Sequence, residues 1–186
     1  MKYFFKFVVF GFFTPFFSLA IAQTVVIDVS LKSIFDDCHI KGAINVAYDK
    51  IDSYAKGLSK DDEIILYCSN YYCIASSDAA KNLQKLGFKN VLVYKGGIAE
   101  WYQKNSEGCS CPIVGSCKQS FLKQKVNKLG LPDSEIKVID FQSLKDKLTK
   151  AGQNENVCYN CSVFSNINDI INKIVGFIKN FFSKIF

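Results

Sequence analysis

Apolar residues gather in short runs at 25–29, 64–67 and 91–94, and these alternate with stretches whose apolar positions recur at helical spacing. Val25-Val26-Ile27-Asp28-Val29, Ile64-Ile65-Leu66-Tyr67 and Val91-Leu92-Val93-Tyr94 predict buried strands, and residues 51–56, 77–86 and 98–104 predict helices. Strands and helices in alternation make a parallel sheet with crossover helices, so the predicted class is α/β. Ligands of such sheets bind outside the carboxyl ends of the strands.

The pattern changes after Trp101. Asn105-Ser106-Glu107-Gly108-Cys109-Ser110-Cys111-Pro112 reads as a linker. Residues 118–128 then predict a helix stopped by Gly130 and Pro132, residues 136–139 a strand, and residues 141–150 a second helix with Gly152 behind it. The expected extension, 105–167, is therefore small and mostly helical. In the final segment, 168–186, Ile170, Ile171, Ile174, Phe177, Ile178, Phe181, Phe182 and Ile185 share one helical face, with Lys173, Lys179 and Lys184 on the other. No acid follows Asp169. A basic amphipathic helix of this kind either lies in an anionic membrane surface or packs on this domain or a second subunit.

The N-terminus has its own signature. A short basic start with Lys2 and Lys6, an apolar stretch from Phe7 to Leu19, and Ala20-Ile21-Ala22 before Gln23 predict a secretory signal peptide over 1–22. The alternative is an uncleaved anchor, although Pro15 interrupts the run and the run falls short of the roughly 20 residues of a span. Without this segment 21 lysines face 17 acids, a mild surplus with no basic run and no interleaving of basic and aromatic residues. Nucleic acid is therefore not an expected partner. The expected location is exported, periplasmic or secreted, with peripheral membrane attachment through residues 169–186 as an option.

Export changes what the 8 cysteines mean, because an oxidising compartment lets them pair. Cys38, Cys68, Cys73, Cys109, Cys111, Cys117, Cys158 and Cys161 all lie beyond the cleavage site. Cys109, Cys111, Cys117, Cys158 and Cys161 either staple the extension by disulfides or form a thiolate site of zinc or copper(I) type, and Cys158/Cys161 alone could be a redox pair. Their combined spacing matches no zinc module, and no metal or other cofactor is expected. No histidine follows Cys161, which excludes covalent haem.

Cys68 stands apart from the others. It follows the run Glu63-Ile64-Ile65-Leu66-Tyr67 and opens the segment Ser69-Asn70-Tyr71-Tyr72-Cys73-Ile74 that leads into the helix over 77–86. Between a strand end and a helix N-terminus, the backbone N–H groups of such a loop form a nest for an anion, and the helix dipole adds to it. Both favour a thiolate. The competing reading is an inert, packed cysteine.

The neighbouring motifs point one way. Val25-Val26-Ile27-Asp28-Val29, His39-Ile40-Lys41-Gly42-Ala43, the cysteine loop, Gly87-Phe88-Lys89-Asn90-Val91 and Gly96-Gly97-Ile98-Ala99-Glu100-Trp101 occur in an order that resembles a rhodanese domain over residues 24–104. The resemblance implies a sulfurtransferase. Cys68 would attack a sulfane-sulfur donor, thiosulfate or another small sulfur-containing anion or persulfide. It would hold the sulfur as a persulfide within the nest of Ser69 to Ile74 and pass it to a thiol or cyanide acceptor. Asp28, His39, Gly42, Gly96, Gly97 and Trp101 would be structural.

The chain also departs from that pattern. All 23 basic residues are lysines. The family's usual Asp-x-Arg becomes Asp28-Val29-Ser30, and no arginine lies in the cysteine loop. The related cell-cycle phosphatases need that loop arginine to clamp phosphate through two parallel hydrogen bonds, so phosphatase activity is not expected. The loop is longer than the commonest rhodanese loop, and it carries Cys73, a candidate resolving thiol. Lys95, just before Gly96, either contacts an anionic substrate or is a solvated surface lysine. His39 is the single histidine, and a Cys–His pair is set against its place in the His-Ile-x-Gly-Ala turn. Two readings compete with transferase activity: a thiol–disulfide protein or sulfur carrier using Cys68 and Cys73, and a non-catalytic binding module.

Overall fold

A computed structural model describes residues 22–106, 112–125 and 135–150. Residues 1–21 of the expected signal peptide, Cys109, Cys111, Cys158, Cys161 and the expected amphipathic helix over 168–186 lie outside the described residues.

The apolar runs form the centre of the molecule. Strands β1 (Thr24–Asp28), β4 (Glu63–Tyr67) and β5 (Asn90–Tyr94) pair in parallel, and Ile27, Leu66 and Val93 stand abreast in the ladder. Because side chains alternate across a sheet, these strands supply two cores at once. Ile27, Ile64, Leu66, Val91 and Val93 pack on one face with helix α2 (Ile51–Tyr54) and helix α3 (Ala75–Lys85). Val26, Ile65, Tyr67 and Tyr94 pack on the other with helix α4 (Gly97–Ser106) and helix α5 (Phe141–Lys150). Trp101 is wholly buried there, edge-on to Tyr94 and tilted against Phe141 with ring centroids 4.9 Å apart. Each fully buried aliphatic or aromatic side chain of this kind contributes roughly 1.5–3 kcal/mol.

Among the described residues the sheet has five parallel strands, in the order β3 (Ile44–Asn45), β1, β4, β5 and β7 (Lys137–Ile139). Strand β3 closes one edge beside β1. Strand β7 closes the other beside β5, with Val138 opposite Val93. The sequence predicts that strand and the following helix, and the structure gives them a place: both complete the sheet. Lys147 of α5 also reaches Glu63 of β4 at 2.5 Å.

The segment after Pro112 straps the same face. Strand β6 (Ile113–Gly115) runs antiparallel to β2 (Cys38–Ile40), which directly follows helix α1 (Lys32–Asp37). A disulfide joins Cys38 to Cys117 across a sequence separation of 79. Asp37 reinforces it: its carbonyl accepts the Cys117 N–H at 2.9 Å, and its carboxylate accepts the N–H groups of Lys118 at 2.9 Å and Gln119 at 3.1 Å.

Of the helix expected over 118–128, residues 118–125 are described, and among these there is a single 3-10 turn, Ser120–Lys123, with Gln124 already extended. Gln103 of α4 explains the stop. Its side-chain amide donates to the Leu122 carbonyl at 2.9 Å and the Gln124 carbonyl at 2.6 Å, taking acceptors that a continuing helix would use. Leu122 is meanwhile buried in the core.

Cys117 belongs to this strap and not to a cluster of metal ligands. Among the described residues, no group of histidines, cysteines and acids could hold a metal, and no helix is long and apolar enough to cross a membrane.

Cross-linking distant residues removes freedom from the unfolded chain, typically by about 2–4 kcal/mol. Cys117→Ser should lower the unfolding free energy by about that amount, measured by urea denaturation of the oxidised protein. Under full reduction the difference should vanish. A Cys117→Ser curve that overlays wild type under oxidising conditions would show that the bond does not tie the strap.

Candidate active site

Cys68 follows the last residue of β4 and is 5% exposed. The next six residues turn back on themselves. Asn70 drives that turn: its side-chain oxygen accepts the Tyr72 N–H at 3.0 Å and its carbonyl accepts the Cys73 N–H at 3.1 Å. The turn returns Cys73 to Cys68, and the two form a disulfide with Cα atoms 6.2 Å apart. Helix α3 starts two residues later, so both sulfurs lie at the positive end of its dipole. In this state two N–H groups of the expected nest, those of Tyr72 and Cys73, are already committed to Asn70.

The loop is gripped from below by α4. Ile98 N–H donates to the Cys68 carbonyl at 3.0 Å and Ala99 N–H to the Ser69 carbonyl at 2.9 Å. This approach requires glycine at 97. Gly97 has φ +60°, and a Cβ there would lie 2.3 Å from the Cys68 carbonyl oxygen and 2.8 Å from the Asn70 nitrogen. One turn on, buried Glu100 accepts a hydrogen bond from Tyr71 at 3.2 Å, and its side chain fills the space over Gly96. Burial, then the Glu100 charge, pushes the Tyr71 hydroxyl up to about 12, so it stays protonated as the donor.

A cavity of about 380 Å³ opens beside the disulfide. Cys68 and Cys73 form part of its wall, with Val29, Ile34 and Ala47 around them and Leu31 and Tyr48 at its mouth. Ser30 and Asp49 are among its few polar neighbours.

Residues 18–104 match the rhodanese-like domain. A thiosulfate sulfurtransferase GlpE of Coxiella burnetii is 30% identical over 77 residues, which are 41% of this chain and 70% of that protein. The chain belongs to the rhodanese-like domain family. Another thiosulfate sulfurtransferase GlpE, from Shewanella oneidensis, is 27% identical over 81 residues, 44% of this chain and 78% of the relative. Among solved structures, a Bacillus halodurans protein is 32% identical, with TM-score 0.45, across 51% of this chain and 66% of its own.

Within the rhodanese-like domain, Asp28 is the last residue of β1, at the sheet's carboxyl end, and His39 lies on β2. Asp28 is fully buried, and its Oδ1 accepts the Ser30 N–H at 2.8 Å. Burial raises the Asp28 carboxyl above its ordinary value, opposed by the Ser30 hydroxyl and N–H, the Tyr67 hydroxyl and nearby His39. Its Oδ2 and the Ser30 Oγ have no partner at hydrogen-bonding geometry. Burial, then the Asp28 charge, pushes the Tyr67 hydroxyl well up, so it remains a neutral phenol that accepts the Ile40 N–H at 3.2 Å.

His39 faces away from a catalytic role in this arrangement. Its Nδ1 lies 2.7 Å from the Phe35 carbonyl, which makes that nitrogen the N–H, and its ring stacks on Phe35 at 3.8 Å. Gly42, at φ +83°, turns the chain between β2 and β3. Lys95 donates to Ser77 Oγ at 2.9 Å in the first turn of α3 and is not part of the cavity wall.

Two contributions escape a reading of the sequence alone. Asn45 donates to the carbonyls of both Asp28 and Ser30 at 3.0 Å and so holds the rim of the cavity, yet the run Ala43-Ile44-Asn45-Val46 marks it only as part of a turn. Leu31 and Tyr48 come from two separate connections. The one sequence signal is that an apolar residue follows Ser30 where a polar turn is expected.

Gly97→Ala should displace the cysteine loop and cost about 2 kcal/mol or more, because its Cβ meets backbone and its φ disfavours any side chain. Thermal unfolding and the reactivity of reduced Cys68 toward an alkylating reagent should both change. An unchanged Tm and an unchanged alkylation rate would refute the clamp.

Asp28→Asn preserves the acceptor for Ser30 and removes the titration. The native pKa is raised above the ordinary 3.8, so the native state holds this proton more tightly than the unfolded chain. Wild type should therefore be most stable relative to the variant below the ordinary value, and should lose that advantage as pH rises through the native pKa. Tm measured for both proteins from about pH 3 to pH 7 tests this, and parallel curves would contradict it.

Proposed function

We propose that this rhodanese-like domain is a sulfurtransferase that carries sulfane sulfur as a persulfide on Cys68 and that Cys73 governs its release. The bond between Cys68 and Cys73 at the head of α3 is the observation that supports this most directly. In the reduced state the Cys68 thiolate attacks the outer sulfur of a donor such as thiosulfate. A Cys68 sulfur–sulfur bond forms, the donor's bond breaks, and sulfite leaves with the electron pair. The helix dipole and the loop N–H groups that remain open favour the resulting persulfide anion.

Two exits follow from that intermediate. A thiol or cyanide acceptor attacks the outer sulfur and returns Cys68 as a thiolate. Alternatively, Cys73 attacks the Cys68 sulfur, forms the observed disulfide and expels the outer sulfur as hydrosulfide, which leaves with the Cys73 proton. Two external thiols then restore the dithiol and leave as a disulfide. A thiol–disulfide role is the second reading, favoured by the same bond. In either case an exported, oxidising location is supported by the Cys38–Cys117 bond and by the N-terminal pattern, and a peripheral membrane contact by residues 169–186.

Intact-mass analysis of reduced protein exposed to a sulfane-sulfur donor separates these readings. Wild type should return to the disulfide and release sulfide, Cys73→Ser should retain one added sulfur atom, and Cys68→Ser should gain none. Undiminished loading of Cys68→Ser would end the assignment. Absence of any sulfur adduct on Cys73→Ser, with disulfide exchange intact in wild type, would leave only the redox reading.

A further inference from the structure

The cavity beside Cys68 has a chemical character that the thiosulfate dianion does not match. Among the described residues no lysine lines it, and the chain has no arginine. Two lysines in its vicinity are engaged elsewhere: Lys32 with Asp36 at 2.6 Å and Lys95 with Ser77 at 2.9 Å. Among the described residues the charged side chain on the wall is Asp49, and Lys50 pairs with it at 3.1 Å, so the wall offers a dianion no net positive charge. Taking two negative charges out of water without a cation is strongly unfavourable, and the thiolate they must approach is itself an anion.

The walls suit a different partner. Val29, Ile34 and Ala47 give a hydrocarbon lining, and Leu31 and Tyr48 project apolar surface into solvent at the mouth, 68% and 41% exposed. A space of about 380 Å³ is many times the volume needed for a bare sulfur anion and suits a small organic ligand. Ser30 contributes to this form, because its short side chain lines the cavity without filling it.

We infer that the preferred sulfur donor is an organic sulfane-sulfur compound, of the aryl or alkyl thiosulfonate or hydropersulfide class, whose apolar body occupies this cavity while its terminal sulfur meets Cys68. The inference rests on the sulfur-transfer reading and specifies its substrate. For an aryl thiosulfonate the step is balanced. The Cys68 thiolate attacks the terminal sulfur, the sulfur–sulfur bond of the donor breaks, and an aryl sulfinate departs with the electron pair. The cavity holds the aryl group. The single leaving charge needs only loop N–H groups.

The test uses Cys73→Ser in the full chain, reduced, with benzenethiosulfonate, methanethiosulfonate and thiosulfate as donors. Each loading rate on Cys68 is divided by that donor's rate with a free thiol, which removes intrinsic reactivity. Benzenethiosulfonate should exceed methanethiosulfonate by about tenfold or more, since the two differ only in the apolar body. Thiosulfate should be the slowest.

Adding Leu31→Lys to that background places a cation at the exposed mouth. It should raise the thiosulfate rate and lower the benzenethiosulfonate rate. Equal normalised rates for the three donors, a thiosulfate rate above the others, or a Leu31→Lys ratio unchanged from the parent would each overturn the inference. Loading from none of the donors would remove the sulfur-transfer reading itself, and this inference with it.

Discussion

Two backbone hydrogen bonds, from Ile98 and Ala99 to the carbonyls of Cys68 and Ser69, hold the end of β4 against the start of α4. They can form only because Gly97 presents no side chain to the Cys68 carbonyl. This contact fixes where the central strand stops and the loop begins, and therefore where the sulfur of Cys68 sits relative to α3. Asn70 then folds the loop over that base, and the Glu100–Tyr71 bond braces its far side. The loop gains its shape from backbone contacts, so the side chains of Tyr72 and Ile74 remain exposed.

The sheet beneath supplies the rigidity that such a loop needs. Its central strands are buried on both faces, and the segment following residue 112 makes that burial complete. Strand β7 covers β5, α5 covers Trp101 and Tyr94, and β6 is locked to β2 by Cys38–Cys117 and by Asp37. These contacts join the extension to the rhodanese-like domain through two hydrophobic cores, and α4 is common to the loop clamp and to the covered face. A loss of the strap would reach the loop through α4.

The central strands were legible because unbroken apolar runs leave few alternatives, and Cys68 was legible because it ends one of them. The Gly96-Gly97 pair was legible as a motif, although the reason for Gly97 lies in a contact with residues far away in sequence. Pairings were not legible. Nothing local to Ile113 or Lys137 says which strand each will join, and Cys117 could have met any other cysteine. The expected helix at 118–128 failed for the same reason: Gln103, on another helix, captures the carbonyls that would have continued it. The cavity was hidden too, because its walls come from the segment after β1 and from the residues just before α2.

The absence of arginine links these features. Lysine is a flexible point charge, so no residue in this chain can fix an oxyanion by a planar, two-point contact. The site near Cys68 instead relies on groups that need no side-chain charge: the α3 dipole, the loop N–H groups and a second sulfur. Backbone dipoles held by a rigid fold act without reorganising, and they favour a thiolate or persulfide over a distant cation's weak attraction. While Cys73 is bonded to Cys68, Asn70 holds two of the loop N–H groups. The disulfide and the two Asn70 hydrogen bonds thus close one and the same turn, which fixes both sulfurs and these N–H groups relative to α3.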